Sequence, residues 1–252
     1  MLASSSILAA ASGSGEPGKQ ESATSLSLDV REIHPGIPQG YLSQEEMPNS
    51  LLILPPPPDS GSSAWEFDIE MADYYLRMDE GRKTQATMDA NLRFPEAVEA
   101  FNMVLDQDIT EEDTPHLYMM LRRTLSDAGL STYSAKNYYR RKRPFMVNHL
   151  PTCTPDDEEM LRKDGSYPSG HTAIGWTWAL ILTEVFPDQA DEILARGKEF
   201  GISRAVCNVH WYSDIVAGRM MGAATLARLH ANEIFRLDLQ DVREEVKCLV
   251  NP

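Results

Sequence analysis

Two histidines, an aspartate and a set of cationic side chains stand at spacings suited to acid–base and nucleophilic chemistry on an anion. His171 follows Pro168-Ser169-Gly170 and directly precedes an apolar run, Ala173 to Phe186. Read plainly, this is a turn and a helix start. Read functionally, free backbone N–H groups at that helix N-terminus face an anion, and Gly170 lets the backbone approach it closely. His210 and Asp214 are four residues apart, so on a helix they face each other. Such a pair is either a surface hydrogen bond or a carboxylate that accepts the proton of one ring nitrogen and leaves the other ready to attack.

The cations lie in KNYYRRKRP, residues 136–144, and in SRAVCNVHWYSD, residues 203–214. Lys136, Arg140, Arg141, Lys142 and Arg143 could form only a solvated charged face. Lys136 and Arg143, however, are two helical turns apart and are expected on one face of a helix. Imidazole and carboxylate at the His210/Asp214 spacing also suit a divalent cation. If Lys136, Arg143 and Arg204 converge there they would repel it, so neither metal nor cofactor is expected.

The elements that must position these groups read as helices. Apolar residues recur at helical spacing in Phe67, Met71, Tyr74, Tyr75 and Met78, in Phe94, Val98, Phe101 and Leu105, and in Leu117, Leu121 and Leu125. Thr114 before Pro115, and Pro187-Asp188 before QADEILARGKEF, are helix starts. Breaks are expected at Gly129, at Arg143-Pro144 and in NHLPTCTPDDEE. No segment alternates as a half-buried strand does. The expectation is an all-α fold, a single compact helical domain of eight to ten helices over 60–252 without internal repeats. Residues 1–48 read as a low-complexity N-terminal tail or the remnant of an export signal, lacking a basic start and a convincing apolar core. Residues 49–59 end in four prolines, Pro55 to Pro58, and read as a proline-rich extended arm.

Composition limits the partners. A formal charge of -15 argues against nucleic-acid binding, which depends on neutralising phosphates with Lys and Arg; any anion must be held by a local cationic cluster. The apolar run near Ala179 to Phe186 is interrupted by Thr183 and Glu184 and is far shorter than the roughly 20 residues of a spanning helix, so no membrane insertion is expected. Cys153, Cys207 and Cys248 fit no zinc spacing. One bridge and one free thiol are allowed, and spacing does not choose the pair.

Together the segments spell KxxxxxxRP, PSGH and SRxxxxxHxxxD in order. They resemble the superfamily of type 2 phosphatidic acid phosphatases and vanadium-dependent haloperoxidases. The fuller GSYPSGHT, the helical body, the length and the LPPPP arm are similar to the class A bacterial nonspecific acid phosphatases, over roughly residues 50 to 235. The resemblance implies a metal-independent phosphatase acting on small phosphate esters. Lys136, Arg143 and Arg204 would bind phosphate oxygens with Ser169 and the Gly170 N–H. His210 would be the nucleophile and Asp214 would orient it. His171 would protonate the leaving alcohol and then activate water.

It further implies a periplasmic or secreted enzyme, some relatives being homo-oligomers, diphosphohydrolases or phosphotransferases. A haloperoxidase holding vanadate at the same residues, a membrane lipid phosphatase and a catalytically idle helical module are the rivals. His34, His116, His149 and His230 lie outside the motifs and read as structural or surface residues, with His149 placed nearest to them. Among the aromatic residues near the motifs, Tyr138, Tyr139, Tyr167, Trp176, Trp178, Trp211 and Tyr212 read as packing groups, Tyr167 being the one placed to touch substrate.

Overall fold

Helix starts follow local chemistry. The Ser62 hydroxyl accepts the Trp65 N–H to open α2 (Ser63–Leu76), and the Asp79 carboxylate accepts the Arg82 N–H to open α3 (Glu80–Met88). Pro115 takes the first position of α5 (Pro115–Leu130), where its missing N–H costs nothing. The computed structural model describes residues 28–250, the Val250 side chain excepted. Of the stretch 1–48 that reads as a tail or export-signal remnant, residues 1–27 lie outside the described residues.

The remaining helices are α1 (Ser50–Ile53), α4 (Glu96–Asn102), α6 (Tyr133–Tyr139), α7 (Pro144–Asn148), α8 (Glu158–Leu161), α9 (Gly170–Val185), α10 (Ala190–Val206), α11 (Tyr212–Leu229) and α12 (Glu233–Val250). Eleven of these α-helices, α2 to α12, lie beyond residue 60, against the expected eight to ten. The excess lies in pieces such as α7 and α8, too short to show a hydrophobic period in sequence. A small antiparallel hairpin, β1 (Glu32–His34) and β2 (Ile37–Pro38), turns at Gly36, whose φ of 79° favours glycine. Apart from this hairpin, the regular structure among the described residues is helical.

α9 is the central element. It packs most extensively on α10 and α11 and next on α5. Its buried face, with Ile174, Trp178, Ile181 and Leu182, meets Leu121 of α5, Ile193 and Phe200 of α10, and the α12 stripe Phe235, Leu239, Val242 and Val246. The chain before residue 60 contributes to this body. Tyr41 and Leu42 join the main core, held by main-chain N–H bonds to Asp127 of 2.9 and 3.0 Å. Leu54 joins a cluster with Ala135, Tyr167 and Met221.

α9, α10 and α11 alternate in direction, so the start of α9, the end of α10 and the start of α11 meet at one end of the bundle. α11 approaches closely there. A Cβ on Gly218 would stand 2.5 Å from the Ser169 carbonyl oxygen and 2.8 Å from Thr172 Cβ. Cys153 and Cys207 form a disulfide with Cα atoms 4.8 Å apart, tying the 149–154 loop to the end of α10, while Cys248 is free and exposed. The sequence left that pairing open.

Candidate active site

The three motif segments converge at this end of the bundle. Lys136, Arg143, Ser169, Arg204, His210 and Asp214 are all buried, whereas Gly170 and His171 keep partial exposure and mark the open side.

Lys136 and Arg143 do not share a helix face, contrary to expectation. α6 stops at Tyr139, Arg140 adopts a left-handed conformation (φ 44°), and Pro144 holds Arg143 extended at the cap of α7. They meet by folding back. Lys136 Nζ donates to the Gly165 carbonyl (2.6 Å) and to Asp164 Oδ2 (3.2 Å), and Arg143 Nη2 donates to the same Asp164 oxygen (3.3 Å). Gly165 is required there, because a Cβ would lie 2.6 Å from the Lys136 carbonyl oxygen. Arg143 also donates to the Leu161 carbonyl (2.9 Å) and the Val209 carbonyl (3.1 Å). Burial, then the Arg143 charge, pushes Lys136 down to about 8.

Ser169 is the N-cap of α9. Its hydroxyl oxygen accepts from the Thr172 N–H (3.2 Å) and the Thr172 hydroxyl (2.9 Å), so its own proton remains to be donated. Its N–H donates to the Asp214 carbonyl (3.0 Å), joining the starts of α9 and α11. The Gly170 and His171 N–H groups are first-turn donors of α9, and a Cβ on Gly170 would stand 3.9 Å from Lys136 Cε.

Nor does His210 lie on a helix with Asp214. It sits in the turn before α11, behind a left-handed Asn208 (φ 62°), with its N–H donating to the Arg204 carbonyl at 3.2 Å. Asp214 is in the first turn of α11, where Oδ2 accepts the Trp211 N–H (2.9 Å) and faces His210 Nδ1 at 3.4 Å. Arg143 Nη1 stands 3.1 Å from His210 Nε2. A guanidinium only donates, so Nε2 is the acceptor and the ring proton sits on Nδ1, toward Asp214. Burial first, then Arg143, Lys136 and Arg204, holds His210 well below the usual histidine range.

His171 Nε2 lies 3.0 Å from the Ala90 carbonyl, which can only accept, so Nε2 carries a proton and Nδ1 is the nitrogen that gains or gives one. Burial and Arg204 hold this ring well below the usual range too. Arg204 is 2% exposed, and its Nε and Nη1 have no hydrogen-bond partner. Burial, then Arg143, pushes it down to about 10. Two buried, unpaired donors on one charged guanidinium near both imidazoles have the chemistry to receive an anion. Three cations around His210 also disfavour a divalent metal there.

The PAP2 superfamily model matches residues 116–234, which hold all three segments. A non-specific acid phosphatase of Salmonella typhimurium is 43% identical over 82% of this chain and 84% of its own length. One from Providencia stuartii is 43% identical over 81% and 84%. The chain belongs to the class A bacterial non-specific acid phosphatases. An acid phosphatase of Zymomonas mobilis, 40% identical over 78% of this chain and 75% of its own, agrees. As an acid phosphatase of this family, the protein is a phosphoric monoester hydrolase. Among the described residues no helix is long and apolar enough to cross a membrane.

Other residues fall into place around this candidate site. Tyr167 is packed and not open to substrate: it is 2% exposed and its hydroxyl donates to the Pro55 carbonyl (2.7 Å), pinning the proline arm. His149 is exposed at the end of α7, and His230 pairs with Glu184 (2.8 Å). Sequence reasoning missed Asp164, Arg141 and Asp68. Asp164 had a signal, standing directly before GSYPSGH; Arg141 lay inside a motif but read as solvated; Asp68, 73 residues before Arg141, had none.

Proposed function

We propose that this acid phosphatase hydrolyses phosphate monoesters of broad range, nucleotides among them, through a phosphohistidine on His210. The observation carrying this reading is the pair of unpaired Arg204 donors near His210, whose unprotonated Nε2 accepts from Arg143 in the free enzyme. Arg204, Lys136, Arg143, the Ser169 hydroxyl and the Gly170 N–H would hold the phosphoryl oxygens, whose charge grows or spreads in the transition state. The Nε2 lone pair attacks phosphorus. The phosphorus–ester oxygen bond breaks, and the leaving oxygen takes a proton from His171 Nδ1. Water then attacks the phosphohistidine and gives its proton to His171. The phosphorus–nitrogen bond breaks, and inorganic phosphate leaves with the Nε2 pair restored to His210. Asp214 holds the Nδ1 proton and offsets the charge that the ring gains.

All these donors address the phosphate, which supports a broad leaving-group range. The same constellation supports inhibition by vanadate, which presents oxygens in a similar geometry. The Cys153–Cys207 bridge supports an oxidising, periplasmic location. Acid-quenched enzyme reacted with radiolabelled aryl phosphate should carry label on His210, and His210→Ala should carry none and not turn over. Label on His171, or wild-type turnover by His210→Ala, would overturn the mechanism; halide oxidation with vanadate as the principal activity would favour the haloperoxidase reading.

A further inference from the structure

Behind Asp214 runs a buried chain of charges that reaches α2. Arg141 Nη1 donates to Asp214 Oδ1 (2.5 Å) and to the Ser213 hydroxyl (2.8 Å), and Arg141 Nη2 donates to Asp68 Oδ2 (2.7 Å). Asp68 accepts the Ser213 N–H (2.8 Å) on one oxygen and the Ser213 hydroxyl (2.5 Å) on the other. The side chains are 7% exposed for Arg141, 1% for Asp68 and 0% for Asp214. Trp65 and Trp211 lie within 5.4 and 5.5 Å of the guanidinium carbon, fixing its plane.

This is more than helix anchoring. Asp214 uses one oxygen on Arg141 and leaves the other, already accepting the Trp211 N–H, toward His210 Nδ1. The rotation of that carboxylate is therefore set by Arg141. The charges alternate, negative at Asp68, positive at Arg141 and negative at Asp214, so one unit of negative charge remains to balance the ring when it becomes cationic.

We propose that Arg141 and Asp68 are positioning residues for the phosphoryl transfer, an Asp68–Arg141–Asp214–His210 chain that orients the imidazole and sets its charge. This rests on His210 being the nucleophile. The groups facing His210 are Arg143 from the cap of α7, Lys136 from α6, Arg204 from α10, His171 from α9 and Asp214 from α11, with Asp164 bound to Lys136 and Arg143. Against that fixed background the chain's two outer members act in opposite senses. Arg141→Met leaves two carboxylates uncompensated, raises the pKa of His210 and moves the acid limb of kcat/KM to higher pH. Asp68→Asn leaves the guanidinium uncompensated and moves that limb to lower pH.

The test is the full pH profile of kcat and KM for Arg141→Met, Arg141→Lys, Asp68→Asn and the Asp68→Asn/Arg141→Met pair, with Tm measured alongside. Expected are a fall in kcat of about tenfold to a hundredfold for Arg141→Met with KM within about twofold, partial recovery by Arg141→Lys, and oppositely displaced acid limbs for the two single changes. The double variant should regain thermal stability without regaining kcat. Unmoved acid limbs, or a kcat that recovers together with Tm in the double variant, would overturn the inference and leave a purely structural cluster. Should Arg141→Met fail to fold, the isosteric Asp68→Asn profile decides. Phosphoenzyme trapping separates the levels: no label on His210 in the wild type sinks the mechanism itself, whereas wild-type labelling rates in the variants sink only the positioning role.

Discussion

Replacing Arg204 by Met should remove most activity while leaving the fold as stable or more so. Its buried Nε and Nη1 have no partner among the protein's own atoms, and in the proposed site both reach the phosphoryl oxygens. Charged hydrogen bonds contribute roughly 1.5–3 kcal/mol each, so losing two raises the barrier by about 3–6 kcal/mol. At 1.36 kcal/mol per decade, kcat/KM should fall by about a hundredfold to ten-thousandfold. The same two groups are a burden on folding, because a buried unpaired donor costs about 1–3 kcal/mol. The Arg204 carbonyl, which accepts the Val209 and His210 N–H groups, is main chain and survives the substitution. The substitution also removes the attraction of Arg204 to Asp157 and Asp89, so the net gain should be about 1–2 kcal/mol, which would appear as about 2–8 °C in Tm for a chain of this size.

Arg143→Met is the control. It strands the Leu161 and Val209 carbonyls and should lower both activity and Tm. Aryl phosphate kinetics and thermal unfolding on the two variants make the comparison. An Arg204→Met enzyme within tenfold of wild-type kcat/KM, or one losing several degrees of Tm, would refute the reasoning.

Lys136, held down to about 8, should lose its proton on the alkaline side of the profile, so KM should climb as pH passes about 8; Lys136→Arg, checked by the same KM–pH series, should move that limb upward. His171 and His210 have folded values below their unfolded value, so as pH falls below about 6.5 the unfolded chain takes up protons that the native state refuses. Stability should therefore drop by up to about 1.4 kcal/mol per pH unit for each ring. Asp127, pushed up to about 6 by burial, works the other way between its unfolded value and 6 and cancels one of them. Thermal scans across this range should show the fall, and added phosphate should reduce it by favouring the charged rings. Cys153→Ser/Cys207→Ser should cost up to about 4 kcal/mol for a crosslink of sequence separation 54, read by denaturant unfolding, while Cys248 reacts with thiol reagents in the native protein.

Legibility tracked the range of the interaction. The helix start at Pro115 and the caps are one-turn events, so residue type decides them. The motif residues were readable through a family resemblance, and the fold brings the three segments that carry them to one end of the bundle. The path bringing Lys136 to Arg143 was not readable, since it depends on Arg140 turning left-handed and on Gly165 passing close to the Lys136 main chain. Likewise, the His210/Asp214 spacing suggested a shared helix, but the capping of α11 by Asp214 puts His210 outside it. Asp68 was illegible for a plain reason: its partner is set by how α2 docks on α11, which no local pattern encodes.

The arrangement of charge also explains why a chain of net charge -15 can act on dianions. Its acidic surface is separated from a site in which Lys136, Arg143 and Arg204 are buried almost completely, so their field is weakly screened inside and contributes little outside. Burial first, and that field second, depress both histidines, which suits a nucleophile that must be neutral but opposes an acid that must be charged. A bound dianion would resolve the conflict unequally. It would draw the Arg143 donor from Nε2, freeing the attacking lone pair, and favour a proton on His171 Nδ1 beside the leaving oxygen. His210 would then remain the ring whose remaining proton is already committed to Asp214. On this reasoning the proton for the leaving group is recruited by the substrate's own charge, and the division of roles between the rings follows from Ala90 and Arg143, the different partners of their Nε2 atoms.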